Sequence, residues 1–137
     1  MIKQAMEKWH QFVNGQSPNI LDELLDDDVV FYSPIVFKAQ NGKAITKMYL
    51  HAAAATFGAG GDPSKPGIQN FSYCKEVYST HQAILEFETE VGGVYVNGVD
   101  IITCNDEGLI TEFKVMVRPL QAVNALHQQM KKMLAAG

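Results

Sequence analysis

Gly98-Val99-Asp100-Ile101-Ile102-Thr103-Cys104-Asn105-Asp106-Glu107-Gly108-Leu109-Ile110 reads as the end of one strand, a tight turn and the start of the next. Apolar and β-branched residues fill both flanks, and Asp106-Glu107-Gly108 is turn chemistry at hairpin spacing. So short a connection forces antiparallel neighbours. The same punctuation recurs upstream at Ser79-Thr80-His81 and Gly92-Gly93. The spacing predicts four strands in a meander, roughly over 69–79, 82–91, 94–105 and 109–118.

Outside the meander the period changes. Pro119 stops the last strand, and Leu120, Val123, Leu126, Met130 and Leu134 recur on one face of a predicted helix over 120–135. At the other end, Ile2, Met6, Trp9 and Val13 make an apolar stripe on a helix over 2–14, closed by Asn14-Gly15. Ser17-Pro18 starts a short second helix that buries Ile20, Leu21, Leu24 and Leu25. Asp26-Asp27-Asp28 reads as its solvated end. Val29 to Phe37 is β-rich but interrupted by Pro34, which suits an edge strand or a bulge. After the Asn41-Gly42 turn, a third helix over 43–57 uses Ile45, Met48 and Phe57 as anchors. The glycine-rich stretch from Gly58 to Gly67 is a connection or a flexible lid. It lacks the spacing of a phosphate loop.

The expected architecture is α+β: helices first, then the meander, then a helix. Helices that bury their stripes on one face of a bent sheet leave a conical space, and that space is a pocket unless side chains fill it. The length of 137 residues fits one domain over 1–137. Hydrophobic residues make up 47% and charged residues 19%, which is globular composition. No apolar run is long enough to span a membrane. The net charge of −4 and scattered basic residues argue against nucleic acid as a partner. Cys74 and Cys104 are too few for a disulfide framework and read as small buried hydrophobes in a reducing, cytoplasmic setting.

Asp100 stands out chemically. It sits mid-strand among apolar neighbours, on the face that alternation assigns to Val96, Gly98 and Ile102. A carboxyl there must be hydrogen-bonded, paired or neutral. Gly98 is expected to leave open space beside it. The two readings are a pocket acid with a raised pKa and a structural carboxylate tied to an N–H or an indole. Arg118 is the one arginine of the chain. It suits either an acidic ligand or Asp100 as partner, or a surface ion pair. Trp9, the one tryptophan, can fill a pocket and donate a hydrogen bond. Tyr32, Tyr49 and Phe113 are further candidates for the wall. Glu86, Glu88 and Glu90 mark a solvated strand face. The histidines show no ligand spacing, so neither a metal nor a cofactor is expected.

Taken together, Trp9 to Asn14, Asp26 to Pro34, Gly42 to Tyr49 and Gly98 to Ile110 resemble the NTF2-like superfamily, in its SnoaL-like (polyketide cyclase and ketosteroid isomerase-like) branch. The resemblance covers nearly the whole chain. It implies a cystatin-like cone with N-terminal helices on the concave face of a strongly bent, mostly antiparallel sheet. Isomerases of that branch use an aspartate before a proline as base, and a tyrosine and a protonated aspartate to hold the enolate. By motif, the protonated aspartate falls on Asp100, the base on Ser33 before Pro34, and the tyrosine on Trp9. Serine is far too weak an unaided base, so the standard steroid isomerisation is not expected. A cyclase-type proton shuttle at Asp100 fits better.

The sequence thus implies a small, mainly hydrophobic or carbonyl-containing ligand in an apolar cone. Asp100 would act as acid/base, with Trp9, Tyr32, Ser33, Tyr49, Phe113 and Arg118 as contacts. A binding or protein-interaction module without catalysis is the alternative. Apolar residues on both strand faces (Val99, Ile101, Val115 and Val117 beside Ile102 and Met116) imply a homodimer through the sheet.

Overall fold

The computed structural model of the chain describes residues 1–17, 19–58 and 70–136. The loop read between Gly58 and Gly67, as lid or connection, therefore lies almost wholly outside the described residues. Pro18 and the side chain of Leu134 lie outside them as well.

The elements follow one another as α1 (Ile2–Val13), α2 (Leu21–Leu24), β1 (Leu25–Tyr32), β2 (Gln40–Asn41), α3 (Lys43–Gly58), β3 (Ser72–Tyr78), β4 (Gln82–Val91), β5 (Val94–Cys104), β6 (Ile110–Arg118) and α4 (Leu120–Ala136). The six strands form one sheet in the order β2-β1-β6-β5-β4-β3. From β3 to β6 every pairing is antiparallel, as hairpin spacing requires. β1 pairs with β6 in parallel. The chain can make that pairing because all of the meander lies between the two strands. The result is the bent, cone-like α+β arrangement expected from the element order.

Local chemistry sets the turns. Gly92 and Gly93 both have positive φ, which the tight β4–β5 hairpin demands at its two central residues. At the β5–β6 turn the Asn105 side chain accepts hydrogen bonds from the Glu107 and Leu109 N–H groups. Alternation then sorts β4: Ala83, Leu85, Phe87, Thr89 and Val91 are buried, while Gln82, Ile84, Glu88 and Glu90 are exposed.

α1 has no side-chain N-cap, so its stability comes from packing. Ile2, Ala5, Met6, Trp9, Phe12 and Val13 are all buried against α2, β1 and the sheet. A second cluster sits under α4 and joins Phe87, Val91 and Val96 to Ala122 and Leu126. Phe71, Tyr73 and Val115 border both clusters.

Some local expectations are corrected. Asp26-Asp27-Asp28 belongs to the start of β1, not to a helix end. Pairing with β6 is interrupted between Leu25 and Val30, which leaves Asp27 and Asp28 in solvent. Cys104 is buried, but β3 turns Cys74 outward. Met48 and Leu120 do not anchor their helices. They are 48% and 71% exposed, and Leu50 and Leu126 fill the core instead. The space over Gly98 is also not open. The Phe87 ring on the neighbouring strand covers it so closely that a Cβ there would lie 2.3 Å from Phe87 Cζ.

Candidate functional site

β5 carries Asp100 between Leu85 of β4 and Val115 of β6. Its even-numbered neighbours Gly98 and Ile102 share the buried face, so the carboxyl points into the cone and is 5% exposed. β3, two strands away, supplies Tyr73. Its O–H donates to Asp100 Oδ2 at 2.6 Å. α1 supplies Trp9 from the opposite wall, and the indole N–H donates to the Tyr73 oxygen at 2.9 Å. The three side chains form one directed chain of hydrogen bonds, from indole to phenol to carboxylate.

Apolar side chains surround that chain. Trp9 packs against Phe113 and Phe12, with ring centroids 4.8 and 5.3 Å apart. Phe71 stacks on Phe87 at 5.0 Å and stands edge-on to Tyr73 at 5.1 Å. The cavity between them measures ≈ 60 Å³, and ≈ 650 Å³ when the open mouth and adjoining solvent are counted. The smaller figure counts only positions open to the centre of a water-sized group, and has room for a few of them. Leu50, Ala53, Ala54 and Phe57 of α3, and Leu126 and Met130 of α4, complete the wall.

Low polarity sets the electrostatics. Burial pushes the Asp100 carboxyl up to about 7, and the Tyr73 hydrogen bond pulls it partly back. Tyr73 is held well above the ordinary phenol range, first by burial and then by the charge of Asp100. It therefore stays a phenol and a donor at neutral pH. A carboxyl near 7 exists in both protonation states there, so it can give or take a proton.

The structure brings together Asp100, Trp9, Phe113 and Ser33 among the residues singled out in the sequence. Ser33 is half-buried in the wall beside Pro34. Its Oγ accepts the Ile35 N–H at 3.0 Å and lies 3.4 Å from the Val36 N–H. Tyr32, Tyr49 and Arg118 lie outside the cavity wall. Tyr32 points to the other face, under the Lys114 ammonium. Tyr49 stands behind the wall, stacked on Phe31. Arg118 is on the outer face of the sheet, where its Nε donates to Asn97 Oδ1 at 2.8 Å, so it does not pair with Asp100.

Period-two alternation already contains part of this sorting. With Phe113 facing in, Lys114, Met116 and Arg118 face out; with Val29 and Phe31 facing in, Tyr32 faces out. Sequence reasoning missed Tyr73. Its shared parity with Phe71 marks an inward face, but nothing local says that it reaches Asp100. Among the described residues no three His, Cys, Asp or Glu side chains converge to hold a metal ion.

No protein-family model matches this chain, and no curated protein matches it significantly. Solved structures do resemble it. A steroid delta-isomerase from Pseudomonas aeruginosa superposes with a TM-score of 0.86 at 29% identity, over 98% of this chain and 92% of that one. An uncharacterised protein with a cystatin-like fold from Silicibacter pomeroyi gives 0.79 at 27% identity, over 93% and 83%. An NTF2-like protein of unknown function from Mesorhizobium loti gives 0.67 at 18% identity, over 86% and 91%.

Proposed function

We propose that this chain, whose fold is that of the NTF2-like superfamily, binds a small, mainly apolar carbonyl compound in its cone and exchanges a proton with it at Asp100. The observation that carries this reading is one buried carboxyl in the wall of an otherwise aromatic and apolar cavity. In the carboxylate form Asp100 takes a proton from the carbon next to the ligand carbonyl. In a β,γ-unsaturated ligand the C–H electron pair moves into the carbonyl, leaving a dienolate, and Asp100 as the acid then returns the proton to the γ-carbon as the double bond moves into conjugation. Ser33 is suited to meet the ligand oxygen, because its own oxygen already accepts from Ile35 and its hydroxyl proton has no acceptor among the described residues. The likeness to a steroid delta-isomerase supports this class of chemistry.

A β,γ-unsaturated cyclohexenone is the test compound. The chain should catalyse its conversion to the conjugated enone, read by ultraviolet absorbance, and Asp100→Asn should abolish that turnover. A second reading, a binding module without catalysis, is supported by Ser33 standing where related isomerases carry a base. It predicts no turnover but saturable quenching of Trp9 fluorescence by 2-naphthol. If neither turnover nor quenching is seen, both readings fail.

The outer face of the sheet supports self-association as a separate proposal. Val77, Ile84, Tyr95 and Met116, one on each strand of the meander, are each roughly half exposed. A homodimer formed there should dissociate on Ile84→Lys with Met116→Lys. Sedimentation of the unaltered chain as a monomer at micromolar concentration would overturn it.

A further inference from the structure

We infer that Tyr73 is the positioning residue of this site: it clamps one oxygen of Asp100 so that the exchangeable proton is carried only by the other. The inference rests on the reading of Asp100 as the proton carrier and adds the geometry that makes it directional. Tyr73 has one proton and one oxygen, and both are committed. The oxygen accepts the Trp9 indole N–H, which can only donate. The proton must therefore go to Asp100 Oδ2, its one acceptor among the described residues. An Oδ2 that already accepts the phenol proton is a poor place for a second proton. Protonation of Asp100, a residue of the cavity wall, then falls on Oδ1, which takes no hydrogen bond among the described residues. The indole starts the relay and fixes its sense, because it cannot reverse.

The consequence is chemical. A carboxyl free to rotate offers a proton from either oxygen and in two orientations. Here the oxygen that carries the proton is fixed, and rotation of the carboxyl is resisted by two hydrogen bonds in series. The clamp also holds the carboxylate form in place for proton abstraction, because Tyr73 favours the charged state. Few ionisable groups compete with it. His10 of α1 meets the Tyr73 ring edge-on at 5.8 Å and bonds Glu76 of β3, whose charge reaches Tyr73. His51 of α3 is turned toward Phe12, Tyr49 toward Phe31, and Lys114 of β6 toward Tyr32 on the other face.

The test reads Asp100 itself. The carboxyl carbon of aspartate, labelled with carbon-13, is titrated by NMR in the unliganded full chain, and Asp100→Asn assigns the signal. Tyr73→Phe keeps the ring and removes the clamp. The Asp100 titration should move upward by about one pH unit or more, the scale of one charge-assisted hydrogen bond. If the hydroxyl is needed for folding, site-specific 3-fluorotyrosine at position 73 preserves it as a stronger donor and should move the titration downward. Titration unchanged by both variants overturns the inference. Where turnover of the cyclohexenone is measurable, Tyr73→Phe should lower kcat at least tenfold with little change in KM, and shift the acid limb of the pH profile with the NMR midpoint. A shifted titration without turnover in the unaltered chain leaves the clamp standing and removes the enzymatic reading. A fall in thermal stability with an unmoved titration makes Tyr73 a packing residue only.

Discussion

Replacing Asp100 by asparagine should flatten the pH dependence of this chain's stability. The carboxyl titrates near 7 in the fold, against an ordinary value of 3.8, because burial penalises its charge. A raised folded value means that the native state holds the proton more tightly than the unfolded chain does. The stabilisation is complete below the ordinary value, falls as pH rises toward 7, and stays lost above it. A gap of about three pH units, at ~1.4 kcal/mol each, amounts to about 4 kcal/mol. Because Asp100 is buried, solvent screening does not discount that figure. Against a total stability on the order of 5–15 kcal/mol for an ordinary domain, the effect is large. Asparagine is close in shape, keeps an oxygen for Tyr73 to donate to, and carries no charge at any of these pH values. Urea unfolding of both chains from about pH 4 to about pH 8 makes the comparison. With a slope of roughly 1–3 kcal/mol per molar, the unaltered chain should lose at least about 1 M of its midpoint across that range. The variant should lose far less, and should be the more stable protein at the alkaline end. Parallel curves would refute the reasoning, since Asp100 would then titrate as an ordinary solvated carboxyl.

Gly98→Ala should cost about 1–3 kcal/mol, read as a lower melting temperature, because its Cβ would meet Phe87 Cζ at 2.3 Å and the Met116 carbonyl oxygen at 2.9 Å. Phe87→Leu in the same chain should recover part of that loss, and an unchanged melt in the single variant contradicts the contact. Trp9→Phe keeps an aromatic ring but leaves the Tyr73 oxygen without its donor, so denaturant titration should show a loss of about 1–3 kcal/mol. A neutral result there would mean that the indole bond is not formed in solution. Ser33→Ala removes the acceptor for the Ile35 N–H and should cost about 1 kcal/mol, with faster hydrogen exchange at that amide. Protection that stays the same argues against the turn.

What the sequence determined alone is mostly short-range. Strand ends, the Gly92-Gly93 and Asn105–Gly108 turns, and the inward face of β5 follow from turn chemistry and from a period of two. Both are properties of neighbouring residues. Asp100 was visible for the same reason, as a charge on a buried parity. Tertiary structure decided the rest. The parallel β1–β6 pairing joins segments from opposite ends of the chain, and the strand that it anchors at Leu25 and again at Val30 runs through Asp26-Asp27-Asp28. The close approach of Phe87 over Gly98 depends on the register between two strands. Tyr73 meets Asp100 across β4, through a register shift between Tyr73 and Lys75, and Trp9 joins them only once α1 docks on the sheet. A hydrogen-bonded chain drawn from three elements has no local signature, because its energy exists only after those elements are packed.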